Sequence, residues 1–121
     1  MTTVLLVEDE WLVSGMMSEA LSGEGFAVTA VESGDQALRY LAEGHAVDIL
    51  FTDINLPGSV DGAALAEAAR QMRPDLPIVY ASGRMSAADI APLGPRSVFV
   101  CKPYNVDDIC RLMQRLAPTR H

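Results

Sequence analysis

The chain has 121 residues, half of them hydrophobic, with 16 acidic against 9 basic side chains and a net charge of −7. That length gives a single domain with one hydrophobic core, and the acidic balance excludes direct nucleic-acid binding, which needs clustered Lys and Arg to displace counterions from phosphates. The apolar runs are strand-length pieces broken by Asp, Gly and Pro, short of the roughly 20 residues that span a bilayer. The start of the chain carries neither a basic n-region nor a small-residue cleavage site, so a cytoplasmic location is expected.

Strand and helix patterns alternate five times along the chain. Val4 to Val7 reads as a first strand. Trp11 to Ser22 reads as a helix with Val13, Met16, Met17, Ala20 and Leu21 on one stripe, ended by Gly23 and Gly25. Phe26 to Val31 predicts a second, weaker strand, and Asp35 to Ala42 a helix closed by Gly44. The apolar run within Val47 to Thr52 fits a central strand covered on both faces. After Pro57-Gly58, the segment Gly62 to Met72 sets Leu65, Ala66, Ala69 and Met72 at helical spacing until Pro74 stops it. Pro77 to Ser82 predicts the fourth strand. The next helix, Ser86 to Ala91, is limited to one or two turns by Pro92, Gly94 and Pro95. Val98 to Lys102 predicts the fifth strand, and Asn105 caps a last helix to about Leu116, with Asp107 and Asp108 near its positive end. Residues 118–121 form a short tail.

Short connections between five strand-helix units require right-handed crossovers, hence a doubly wound α/β fold with a parallel sheet and helices on both faces. One domain is expected over 1–121, with no room for an output domain. Cys101 and Cys110 lack CxxC spacing and read as buried, reduced thiols. His45 and His121 read as surface residues, Met16, Met17, Met72 and Met113 as core, and Trp11 as a partly packed residue at a helix start.

In an open α/β sheet the ligand crevice lies beyond the carboxyl ends of the strands. The strings Leu5-Leu6-Val7-Glu8-Asp9-Glu10, Phe51-Thr52-Asp53 and Val98-Phe99-Val100-Cys101-Lys102-Pro103 each end an apolar run with charge. Glu8, Asp9, Asp53 and Lys102 are therefore expected at one edge. Three carboxylates there repel one another, a conflict that a hard divalent cation such as Mg2+ removes by taking carboxylate and phosphate oxygens. An aspartate can attack a phosphoryl group to give an aspartyl phosphate, with a metal and a lysine neutralising the equatorial oxygens. Asp53 ends the most central-looking strand and is the expected nucleophile. Ser82 can donate its hydroxyl to a further oxygen.

Taken together, the acidic pair after strand one, Asp53 followed by Leu56-Pro57-Gly58, Ser82 after strand four and Lys102-Pro103 after strand five resemble the receiver domains of bacterial response regulators. The resemblance covers essentially the whole chain and implies a flavodoxin-like sheet of order 2-1-3-4-5. It further implies Asp53 as phospho-acceptor, Asp9 as direct Mg2+ ligand, Glu8 as a ligand through water and the Asn55 carbonyl as another. Ser82 is then the switch hydroxyl, Phe99 the aromatic that reports it, and Lys102 the phosphate-binding lysine, fixed by a cis Lys102-Pro103 bond. The implied donor is phosphohistidine of a histidine kinase or histidine phosphotransfer protein, and the implied state a monomer or weak homodimer. The only catalysis implied is of the domain's own phosphorylation and dephosphorylation.

The chain departs from the family pattern in its Glu8-Asp9 pair where Asp-Asp is commoner, in Ser82 for Thr, in a loop 57–62 one residue longer, as in receivers of hybrid kinases, and in the degraded fourth helix. Other readings are weaker. A Mg2+-dependent phosphatase with an aspartyl nucleophile uses a second Asp as acid where this chain has Asn55. A flavin site needs a phosphate loop after strand one, where acids stand instead. A phosphorylation-independent interaction module leaves Asp53 and Lys102 without a purpose.

Overall fold

The structure, a computed structural model, describes residues 1–54, 56, 58, 60–82, 96–101 and 105–117, with the side chains of Ser82 and Cys101 outside the description. Five strands, β1 (Thr3–Val7), β2 (Ala27–Val31), β3 (Ile49–Asp53), β4 (Ile78–Ser82) and β5 (Ser97–Cys101), form one parallel sheet in the order β2-β1-β3-β4-β5. Four helices accompany them: α1 (Trp11–Gly23), α2 (Gly34–Ala42), α3 (Gly62–Met72) and α4 (Val106–Leu116). The expected short helix over 86–91 and the tail 118–121 lie outside the described residues.

Because side chains alternate across a strand, the sheet sorts its apolar residues into two cores. Leu5, Val7, Leu50, Ile78 and Tyr80 face Ala37 and Leu41 of α2 and Leu65, Ala66 and Ala69 of α3. Val4, Leu6, Ile49, Phe51, Val79 and Ala81 face Met17 and Leu21 of α1 and Ile109 and Met113 of α4. Central strands β1 and β3 are therefore apolar on both sides, whereas edge strand β2 is only partly buried.

Local chemistry sets the helix ends. Ser33 Oγ accepts the Gln36 N–H at 3.2 Å, Asp61 Oδ1 that of Ala64 at 2.8 Å, and Asn105 Oδ1 that of Asp107 at 2.8 Å. Gly25 and Gly44 leave α1 and α2 at φ 95° and 87°, the left-handed region a glycine enters without penalty. The C-terminal ends of α2 and α3 are joined by Arg73, whose Nη2 donates to the Leu41 carbonyl at 3.1 Å.

Three expectations are corrected. Met16 is 54% exposed while Met17 is fully buried; neighbours on a helix stand about 100° apart, and only Met17 points at the sheet. Met72 is exposed because it is the last residue of α3, where the chain turns toward Pro74. Trp11 is 75% exposed rather than partly packed, since α1 begins with it, beyond the end of β1.

Candidate functional site

The sheet order places β3 between β1 and β4, with Val7 paired to Thr52 and Asp53 paired to Ala81. The residues following Val7 and the last residue of β3 thus emerge side by side. Glu8 is buried, its N–H donating to the Val31 carbonyl at 3.0 Å, so the ladder between β1 and β2 continues one residue past the strand. Its side chain turns back, Oε2 accepting the Glu10 N–H at 3.1 Å. Asp9 is exposed and Asp53 half-buried. One carboxylate oxygen from each of Glu8, Asp9 and Asp53 lies within 4.8 Å of the other two.

Backbone anchors hold the Asp53 end of this cluster. The Ile54 N–H donates to the Ala81 carbonyl at 3.0 Å, and the hydroxyl of buried Thr52 donates to the Asp53 carbonyl at 3.0 Å. The sequence gives no signal for these supports or for the Val31 carbonyl under Glu8, since main-chain partners depend on register rather than on residue type.

Three hard, anionic oxygen donors converging from two adjacent strand ends are the donor chemistry that Mg2+ takes. The residues present therefore fit the metal: Asp9 and Asp53 offer accessible carboxylates, and Glu8 a buried one. The Asn55 carbonyl, expected as a further ligand, and Lys102 lie outside the described residues. Ser82 ends β4 opposite Cys101 of β5, its hydroxyl likewise outside the description. Phe99 pairs with Tyr80 and packs, partly buried, against the core of the α2 and α3 face.

Two titrating groups lie apart from the acids. Burial pushes the Tyr80 phenol up, with Ser97 and Arg70 opposing, and burial with Glu24 and Asp107 pushes up the Cys110 thiol, which is free. Trp11, Leu12 and Met16 are exposed apolar side chains of α1, the helix that begins two residues after Asp9. His45 is exposed, as expected, and stacks on Tyr40 with ring centroids 4.1 Å apart. No described helix is long and apolar enough to cross a membrane.

The description "Response regulator receiver domain" fits residues 4–114. The response regulator receiver protein CpdR of Brucella abortus is 31% identical over 119 residues, covering 96% of this chain and 97% of its own. Sensor kinase CckA of the same species is 32% identical over 117 residues, covering 94% of this chain and 12% of its own. A crystal structure of a response regulator receiver protein from Sinorhizobium medicae superposes with a TM-score of 0.87 at 36% identity, covering 95% of this chain and 93% of that one. The chain spans between 12% and 26% of the length of the first curated relatives it matches. With the sheet order and the acid cluster already in place, the chain belongs to the response regulator receiver domains of two-component systems.

Proposed function

We propose that Asp53 accepts a phosphoryl group from phosphohistidine of a histidine kinase or histidine phosphotransfer protein. The observation that carries this reading is the meeting of the Glu8, Asp9 and Asp53 carboxylates within 4.8 Å at the carboxyl ends of β1 and β3. An Asp53 oxygen attacks phosphorus, the bond from phosphorus to the donor's imidazole nitrogen breaks, and the imidazole leaves with the electron pair. Water later cleaves the acyl phosphate and returns the carboxylate. Asp9, Asp53 and the Asn55 carbonyl, with Glu8 through water, would hold Mg2+, which when bound would supply positive charge to the transferring oxygens.

Lys102 pairs with the phosphoryl oxygens and Ser82 donates its hydroxyl to one of them. The product adds roughly 1.5 to 2 negative charges at Asp53, and bonds made only in that state bias a two-state equilibrium. Phe99, on the strand that precedes Lys102, is the side chain whose packing reports the change. The domain acts on itself in this scheme and turns over no separate substrate. The donor protein covers the rim of the site, where the exposed Trp11, Leu12 and Met16 offer it an apolar seat.

Intact-mass spectrometry after incubation with acetyl phosphate and Mg2+ tests the reading. One phosphoryl adduct is expected, absent from Asp53→Asn and from a chelated control. An unmodified wild type that also binds no Mg2+ overturns it and leaves an interaction module of receiver shape.

A further inference from the structure

The connection between β3 and α3 leaves the acid cluster directly from Asp53 and enters α3 at Gly62. It is gripped at both ends by glycines that begin helices. At Gly62, the first residue of α3, an added Cβ would run into the Asp53 carbonyl oxygen and stand 2.6 Å from the Ile54 Cα. The Gly62 N–H donates to the Ile54 carbonyl at 2.9 Å, closing the connection on itself. At Gly34, the first residue of α2, a Cβ would stand 2.7 Å from both the Val60 Cγ1 and the Val60 carbonyl oxygen, and 2.9 Å from the Val60 Cβ. Real Cβ atoms essentially never show such distances, so any larger residue must displace what it meets. The glycines at 15 and 23, by contrast, face open space.

We propose that Gly62 and Gly34 are positioning residues for the phosphoryl-accepting site: Gly62 sets the Asp53–Ile54 backbone, and Gly34, a residue of a different helix, sets the far end of the same connection through Val60. Val60 is partly buried and packs on the core that α2 and α3 share, so it has little room to retreat. Displacement of Val60 therefore passes through Asp61 to Gly62, which sits against the Asp53 carbonyl and Ile54. The proposal rests on Asp53 being the phospho-acceptor, and its test separates the two ideas.

The experiment compares the full chain with Gly62→Ala, Gly34→Ala, Val60→Ala, the double variant Gly34→Ala with Val60→Ala, and the control Gly23→Ala. Three readouts are taken: thermal midpoint, rate of phosphoryl incorporation from acetyl phosphate with Mg2+, and amide shifts of 15N-labelled protein. Misplacement by about 1 Å can cost on the order of 100-fold, and Gly62→Ala is expected to approach that loss. Gly34→Ala, acting at one remove through Val60, is expected to lose about tenfold, with shift changes running from Val60 to Ile54 and Asp53. Removing the Val60 methyls in the double variant is expected to restore part of the rate, since the Cγ1 contact goes while the Val60 carbonyl oxygen and Cβ still meet the added Cβ. Gly23→Ala is expected to match the wild type.

Should Gly62→Ala fail to fold, Gly34→Ala, read by its rate and its amide shifts, carries the test alone. A folded Gly34→Ala with shift changes confined to the start of α2 and a wild-type rate overturns the proposal. If the wild type itself takes no phosphoryl group, the reading of Asp53 falls, while the amide shifts still decide whether Gly34 positions the connection.

Discussion

Glu8 Oε2 accepts the backbone N–H of Glu10 at 3.1 Å, which ties a buried carboxylate to the turn that carries it toward Asp9 and Asp53. Glu8 thus serves the turn as an acceptor and the cluster as a charge, and the two roles separate in Glu8→Gln. The amide oxygen still accepts the N–H, while one of three repelling charges is gone. In metal-free buffer this variant is expected to be more stable by about 1 kcal/mol, roughly 4 °C in Tm. Added Mg2+ is expected to raise its Tm less than that of the wild type, since stabilisation by a ligand grows with the logarithm of its affinity. Calorimetry with chelator and with Mg2+ checks both, and a lower metal-free Tm contradicts the repulsion argument.

Trp11 supplies a way to separate the chemistry from the encounter with a donor protein. It is 75% exposed at the mouth of the site, and buried aromatics dominate many interfaces. Trp11→Ala is expected to slow phosphoryl transfer from a protein donor about tenfold more than transfer from acetyl phosphate. Equal effects on both donors would remove α1 from the docking surface.

Adjacent methionines on α1 have opposite surroundings, Met17 fully buried and Met16 54% exposed. Met17→Ala is expected to destabilise by about 2–5 kcal/mol through lost burial and a residual cavity. Met16→Ala is expected to stay within about 0.5 kcal/mol of wild type. Urea unfolding of the two variants reads the difference directly.

The contrast also explains what was legible in the chain. Five strands and the four described helices follow from apolar period and from breakers such as Gly44 and Pro74, because burial on two faces of a parallel sheet imposes those patterns. The convergence of Glu8, Asp9 and Asp53 follows from the rule that strand ends share one edge. Met16, Met72 and Trp11 were misplaced because periodicity locates an apolar stripe but not its edges or the point where a helix runs past the sheet. The Gly34 contact with Val60 had no sequence signature at all, since it joins separate parts of the chain through packing alone.

Alkaline pH is expected to weaken the fold by a defined route. The Cys110 thiol and the Tyr80 phenol are both held above their ordinary values of 9.0 and 10.0, chiefly by burial. The folded state therefore keeps protons that the unfolded chain releases as pH rises through those values. Their contribution to stability is fully present below about pH 9 and declines above it. Urea midpoints measured from pH 7 to pH 11 check the decline, and Cys110→Ala is expected to remove its earlier part.

Gly34 meets Val60 at one end of the α2 and α3 pair, and Arg73 reaches the Leu41 carbonyl at the other. Two rods pinned at both ends behave as a frame. That frame borders edge strand β2, where the Tyr40 hydroxyl of α2 lies 3.3 Å from the Thr29 hydroxyl, so the site at the centre of the sheet and the strand at its border share one rigid support.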